Sequence, residues 1–186
     1  MVLDVLPLAI PDVLLIRTRR IQDSRGYFAE TYVQRDYAKA GIDNAFVQDN
    51  QSLSIASGTM RGLHFQTAPF AQAKLIRVLR GKILDVAVDL RRGSRTYGRH
   101  VSAELTAEGG EQIFIPVGFA HGFCTLAPNT EVSYKVDAVF SSANDRGVNA
   151  ADPDLAIGWP VEIGAEVVSD KDRALPMLRD LPTYFN

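Results

Sequence analysis

Four residues near the middle of the chain, His64, Lys74, His121 and Tyr134, carry side chains suited to moving a proton beside a carbonyl. An imidazole is the usual general base near neutral pH. An ammonium stabilises a developing oxyanion, and a phenol can deliver a proton. A base on one face of a carbon and an acid on the other invert that carbon through an enolate, which makes this set the toolkit of an epimerase. Each residue also has a plainer reading. His121, after Gly118-Phe119-Ala120, can hydrogen-bond across a barrel mouth, Tyr134 can be a core tyrosine, and Lys74 can be a solvated lysine at a strand start.

Short strands must position these groups. The chain has 186 residues, the length of one domain spanning 1–186, and is 46% hydrophobic and 23% charged, which excludes wholesale disorder. The formal net charge of −2 gives no basic face for a long nucleic acid. The apolar start is broken by Asp4, Pro7, Pro11 and Asp12, without a charged leader region, and no membrane span is expected. The single Cys124 lies in an apolar run and reads as a buried thiol in a cytoplasmic protein. Strands are predicted over 13–17, 26–33, 46–54, 75–79, 82–90, 101–105, 112–115, 122–126 and 131–136. Arg80-Gly81 reads as the turn of a hairpin. One helix is predicted over 34–40, stopped by Gly41. Pro153, Pro160, Pro176 and Pro182 exclude long elements from the tail, and Trp159-Pro160 reads as a packing plug. The arginines at 91, 92, 95 and 99 read as a solvated loop. Even spacing of short strands argues an all-β sandwich or barrel. If Val132 and Val136 face its interior, so does Tyr134, whose hydroxyl then needs a polar partner.

Gly58 to His64, followed by Lys74 and Gly81, and Gly110 to His121 through Pro116 and Gly118, resemble the paired signatures of the cupin superfamily. The resemblance implies an all-β double-stranded β-helix, the cupin jelly roll, with a few short helices. Metal-binding cupins carry His-x-His and then Glu in the first signature. Here Gln66 replaces the second His and Lys74 stands at the acidic ligand's place, where a cation repels a metal. No metal and no cofactor are expected.

A closer resemblance lies in motifs that follow one another in order. They are Asp23 to Glu30, Phe46 to Ser52, Arg61-Gly62-Leu63-His64-Phe65-Gln66, Lys74 to Val78, Pro116 to Phe123, Tyr134-Lys135, Asp152-Pro153-Asp154 with Trp159-Pro160, and Ser169 to Asp172. Together they are similar to the dTDP-4-dehydrorhamnose 3,5-epimerase family from about residue 12 to 180. That resemblance implies His64 as catalytic base, Asp172 as its carboxylate partner, Lys74 as support for the enolate, and Tyr134 as the opposing acid. It implies His121 as a sugar-site residue held by Asp85, and Arg25, Arg61 and Lys171 as diphosphate contacts. Gln48, Asn50 and Glu30 match nucleotide or sugar contacts, and Phe28 joins the substrate-binding set. The resemblance also implies a homodimer in which Arg25 reaches the neighbouring site.

The chain departs from the family at two places. Ile21 stands near a position where the family has a base-contacting aromatic. Val139 and Phe140 stand where it has two tyrosines. Losing such stacking costs about 1–3 kcal/mol per base. The expected activity is inversion at C3 and C5 of dTDP-4-dehydro-6-deoxy-D-glucose. The departures keep open a mono-epimerase, or an enzyme of another nucleotide-linked 4-keto-6-deoxy sugar. A non-catalytic sugar-nucleotide-binding cupin is the alternative of a different class. It would bind without proton exchange.

Overall fold

The computed structural model describes residues 3–161 and 167–186. In chain order the elements are β1 (Leu3–Pro7), β2 (Leu14–Thr18), β3 (Ile21–Asp23), β4 (Gly26–Phe28), α1 (Gln34–Lys39), β5 (Gln48–Ser54), β6 (Met60–Gln66), β7 (Lys74–Arg80), β8 (Lys82–Asp89), β9 (His100–Thr106), β10 (Glu111–Ile115), β11 (Phe119–Thr125), β12 (Thr130–Val136), β13 (Asp145–Gly147) and α2 (Asp170–Arg173), with a 3₁₀ turn at Leu178–Asp180. A six-stranded sheet runs β1-β2-β10-β7-β12-β5, and a five-stranded sheet runs β13-β6-β11-β8-β9. All their strand pairs are antiparallel. This is the predicted jelly roll.

Alternation along the strands fills the space between the sheets. Val132 on β12, Ile76 and Val78 on β7, Ile113 on β10, and Ile83 and Ala87 on β8 share one buried cluster, and Tyr134 packs against it. The other faces are covered as well. Val86 and Val88 of β8 lie under Leu178 and Leu181 of the tail, with Trp159, Tyr184 and Phe185 alongside. Tyr37 of α1 packs with Ile16, Leu75 and Phe114 on the outside of the larger sheet. Both faces of β8 are covered, Val86 and Val88 on one and Ile83, Ala87 and the buried Asp85 and Asp89 on the other. Trp159 is thus the packing plug expected, its Nε1 donating to Ala150 O at 2.8 Å.

Four sequence expectations are corrected. The segments around Arg80-Gly81 do not form a hairpin, because β7 belongs to the larger sheet and β8 to the smaller. Gly81 turns the corner between sheets with φ +78°, and a Cβ there would collide with Thr130. The strand predicted over 26–33 ends at Phe28, paired only with β3 in a separate hairpin. Arg91 is only partly solvated. It binds the fully buried Asp89 at 2.8 Å and stacks over Phe119. The strand predicted from Gly122 starts at Phe119, which puts His121 inside β11 rather than just before it.

Candidate active site

β6 and β11 are neighbours in the smaller sheet, and their register sets His64 opposite His121. The two strands approach closely because of their glycines. A Cβ on Gly62 would lie 2.6 Å from His121 O, and one on Gly122 would lie 2.6 Å from Arg61 O. The register slips between His121 and Phe123, next to this contact. Arg61-Gly62-Leu63-His64 and His121-Gly122-Phe123 are therefore two halves of one piece of backbone geometry.

His64 Nε2 lies 2.7 Å from Asp172 Oδ1, and the Gly62 amide donates to Asp172 Oδ2 at 3.2 Å. Asp172 is delivered by the short helix α2, whose N-cap Ser169 accepts from the Asp172 amide at 3.1 Å. An ionised carboxylate only accepts, so Nε2 carries the proton and Nδ1 is left as the basic nitrogen. Burial pushes the Asp172 carboxyl up, but hydrogen bonds from His64, Gly62 and Ser169 hold it below its ordinary value.

Lys74 opens β7 and is buried, and its Nζ donates to His64 O at 3.1 Å. Burial lowers its ammonium to about 8, against the pull of Asp145 and Asp85. Tyr134 sits in β12 between Asn50 and Ile76 of the neighbouring strands. Burial raises its phenol, with Arg61 opposing and Asp145 assisting, so the hydroxyl stays protonated. No hydrogen-bond partner for that hydroxyl lies among the described residues. The expected buried partner is missing because the side chain opens on a cavity.

That cavity has a volume of about 310 Å³ and is lined by Ser52, Arg61, His64, Lys74, His121, Phe123, Tyr134, Ser169, Lys171 and Asp172. A second chamber of about 320 Å³ shares His64, Lys74, Tyr134 and Lys171 and extends to Gln48, Asn50, Gln66, Phe140 and Asp145. His121 Nε2 lies 2.8 Å from Oδ2 of Asp85, which is fully buried and whose Oδ1 has no partner among the described residues. Arg61 is aimed by Ser54 Oγ and Leu53 O, both at 3.1 Å. Lys171 pairs with Asp145 at 2.6 Å, which raises its ammonium. Arg61, Lys74 and Lys171 bring three cationic side chains to the lining of the first cavity.

Sequence reasoning placed His64, Asp172, Lys74, Tyr134, His121, Arg61, Lys171, Gln48 and Asn50, and the structure brings all nine to the two chambers. It does not bring Arg25, Phe28 or Glu30 there. Arg25 pairs with Asp23 at 2.6 Å on the β3–β4 hairpin, Phe28 is 64% exposed, and Glu30 follows the hairpin in an exposed position. Asp145, Phe123 and Gln72 line the chambers without having been singled out. Asp145 lies just beyond the stretch where the sequence leaves the family pattern, and no motif marks it. Gln66, at the place of a metal-ligating His, bonds backbone through both ends of its amide. Among the described residues no group of three or more His, Cys, Asp or Glu is placed to hold a metal ion. None of the described helices is long and apolar enough to cross a membrane.

The family model described as dTDP-4-dehydrorhamnose 3,5-epimerase matches residues 7–180. A dTDP-4-dehydrorhamnose 3,5-epimerase of Sinorhizobium fredii is 51% identical over 178 residues, which cover 96% of this chain and 91% of that one. The crystal structure of the Bacillus anthracis dTDP-4-dehydrorhamnose 3,5-epimerase with TDP and pyrophosphate bound superposes with a TM-score of 0.92 at 46% identity, covering 95% of this chain and 99% of that one. The dTDP-6-deoxy-D-glucose-3,5-epimerase of Legionella pneumophila, in complex with dTDP-4-keto-L-rhamnose, gives a TM-score of 0.92 at 37% identity, covering 97% and 95%.

Proposed function

The chain belongs to the dTDP-4-dehydrorhamnose 3,5-epimerase family, and we propose that it inverts C3 and C5 of dTDP-4-dehydro-6-deoxy-D-glucose to give dTDP-4-dehydro-L-rhamnose. One observation carries the reading. A carboxylate-backed imidazole, a buried ammonium and a protonated phenol converge on one cavity. His64 takes the proton from the carbon beside the C4 ketone, and Asp172 stabilises the imidazolium that forms. The C4 oxygen gains negative charge, which Lys74 offsets. Tyr134 delivers a proton to the opposite face of the carbon. Arg61 and Lys171 hold the diphosphate, and Gln48, Asn50 and His121 contact the rest of the substrate. Each inversion leaves His64 protonated and Tyr134 ionised, and proton exchange of both with solvent resets them for the next carbon, so the proposed reaction is proton transfer alone and uses no metal or redox cofactor.

The same reading makes the chain one domain in a cytoplasmic homodimer. Arg25 lies away from its own cavity, on a hairpin whose Ile21, Tyr27 and Phe28 are 58%, 57% and 64% exposed, which suits an arm that serves a second copy. Glu30 and Phe28 belong to that arm. A second reading, a mono-epimerase or an enzyme of a different nucleotide, is motivated by Val139 and Ile21, which stand at or near positions where the family carries aromatics. Incubation with the dTDP-keto sugar in D₂O separates the two. Deuterium at both C3 and C5 supports the double inversion, deuterium at one carbon supports the mono-epimerase, and no deuterium at either removes this substrate.

A further inference from the structure

The segment 138–141, which brings Phe140 to the second chamber, is held in an unusual way. Its backbone is tied by the side-chain amides of three glutamines that come from three places in the chain. Gln72 Nε2 donates to Ala138 O at 2.6 Å, and Gln66 Nε2 donates to Val139 O at 3.2 Å. Gln48 Oε1 accepts from the Phe140 amide at 2.9 Å, and Gln66 Oε1 accepts from the Ser141 amide at 2.7 Å. Gln66 is only 3% exposed, and its Nε2 also donates to Phe70 O at 2.7 Å. Removing it would leave several backbone groups without partners at once.

This segment carries Phe140, whose side chain lines the chamber while the residue stays 57% exposed. A phenyl ring left more than half exposed beside this chamber gains little from burial in the free protein. Its orientation rests on the backbone beneath it, and that backbone rests on the glutamines. Gln66 links this segment to β6, two residues after His64.

We propose that Gln66, with Gln48 and Gln72, is a positioning residue that sets the pose of Phe140 and so governs how tightly the second chamber grips the nucleotide portion of the substrate. The inference rests on the sugar-nucleotide reading above and adds a determinant of binding that takes no part in proton transfer. Side-chain amides are neutral, so the clamp changes the chamber's shape without changing the charge around His64 and Lys74.

The test is a double-mutant cycle on dTDP affinity, measured by calorimetry on the full chain. Gln66→Leu weakens dTDP binding about tenfold. Phe140→Ala weakens it to a similar degree, and the combined variant is no weaker than either alone, because both remove one device. Hydrogen exchange speeds up at the Phe140 and Ser141 amides of Gln66→Leu and stays slow in β6 and β11, which separates this effect from general unfolding. In turnover, KM rises while kcat and its pH profile hold. Additive losses in the cycle overturn the inference, as does Gln66→Leu binding at the unmutated level or failure of the unmutated protein to bind dTDP. If dTDP binds with the predicted coupling but no proton exchanges in D₂O, the proposed reaction fails while the clamp stands.

Discussion

His64 and His121 face each other across β6 and β11, and each holds a carboxylate through Nε2, at 2.7 Å and 2.8 Å. The two pairs look alike on distance alone. Their surroundings differ. The His64 side chain is 32% exposed and its partner Asp172 gains further donors from Gly62 and Ser169. The His121 side chain is 8% exposed, and Asp85 is fully buried with one oxygen unpartnered. The first pair has an accessible imidazole and a fully satisfied carboxylate, as a base that must gain and lose a proton requires. The second has a shielded imidazole pinned by a carboxylate that depends on it, which suits holding substrate and holding the barrel. Access and the partners of the carboxylate separate the roles, and the histidine–carboxylate distance does not.

The largest expected difference between the pairs is in turnover. Asp172→Asn leaves the shape intact but removes the charge that stabilises the imidazolium, and kcat falls about 10³-fold. Asp85→Asn lowers kcat by less than about tenfold. Steady-state kinetics on both variants, with equal losses, would dissolve the distinction.

Stability should show the reverse order. His121→Ala strips the buried Asp85 of its hydrogen bond and costs about 3 kcal/mol. His64→Ala leaves Asp172 with its remaining donors and costs about 1 kcal/mol. Urea unfolding of the two variants reads both numbers.

Lys74 links the pairs. It donates to His64 O, while Asp85 and Asp145 support its charge. The ammonium is lost as pH rises through about 8, so turnover falls about tenfold per pH unit above that point. Stability responds in the opposite direction. Between about 8 and the ordinary value of 10.5 the unfolded chain holds a proton here that the folded one does not, so this group favours folding more as pH rises. Asp85→Asn removes a supporting charge and shifts the alkaline limb of the rate profile to lower pH. A limb that stays in place would show that Asp85 has no influence on Lys74.

The sequence made the His64 pair legible because its members sit in dense motifs, and β12 was legible because Val132, Tyr134 and Val136 alternate with the polar Glu131, Ser133 and Lys135. β6 was read as a motif and not as a strand, since Gly62 breaks its pattern and both faces are covered. The corner at Gly81 passed for a hairpin because a glycine turn looks the same in sequence whether the next strand stays in the sheet or leaves it. Asp145 was invisible for a different reason. Its importance comes from Lys171 and Lys74, which tertiary structure alone brings beside it. The glutamine clamp was hidden in the same way, as three unrelated polar residues meeting one loop.

The proposed reaction depends above all on His64 as the group that removes the proton. Deuterium wash-in from D₂O into dTDP-4-dehydro-6-deoxy-D-glucose, followed by NMR for His64→Asn and His121→Asn side by side, measures that step alone. The expected result is no labelling above buffer with the first variant and clear labelling with the second. Labelling by His64→Asn at the rate of the unmutated protein would contradict it.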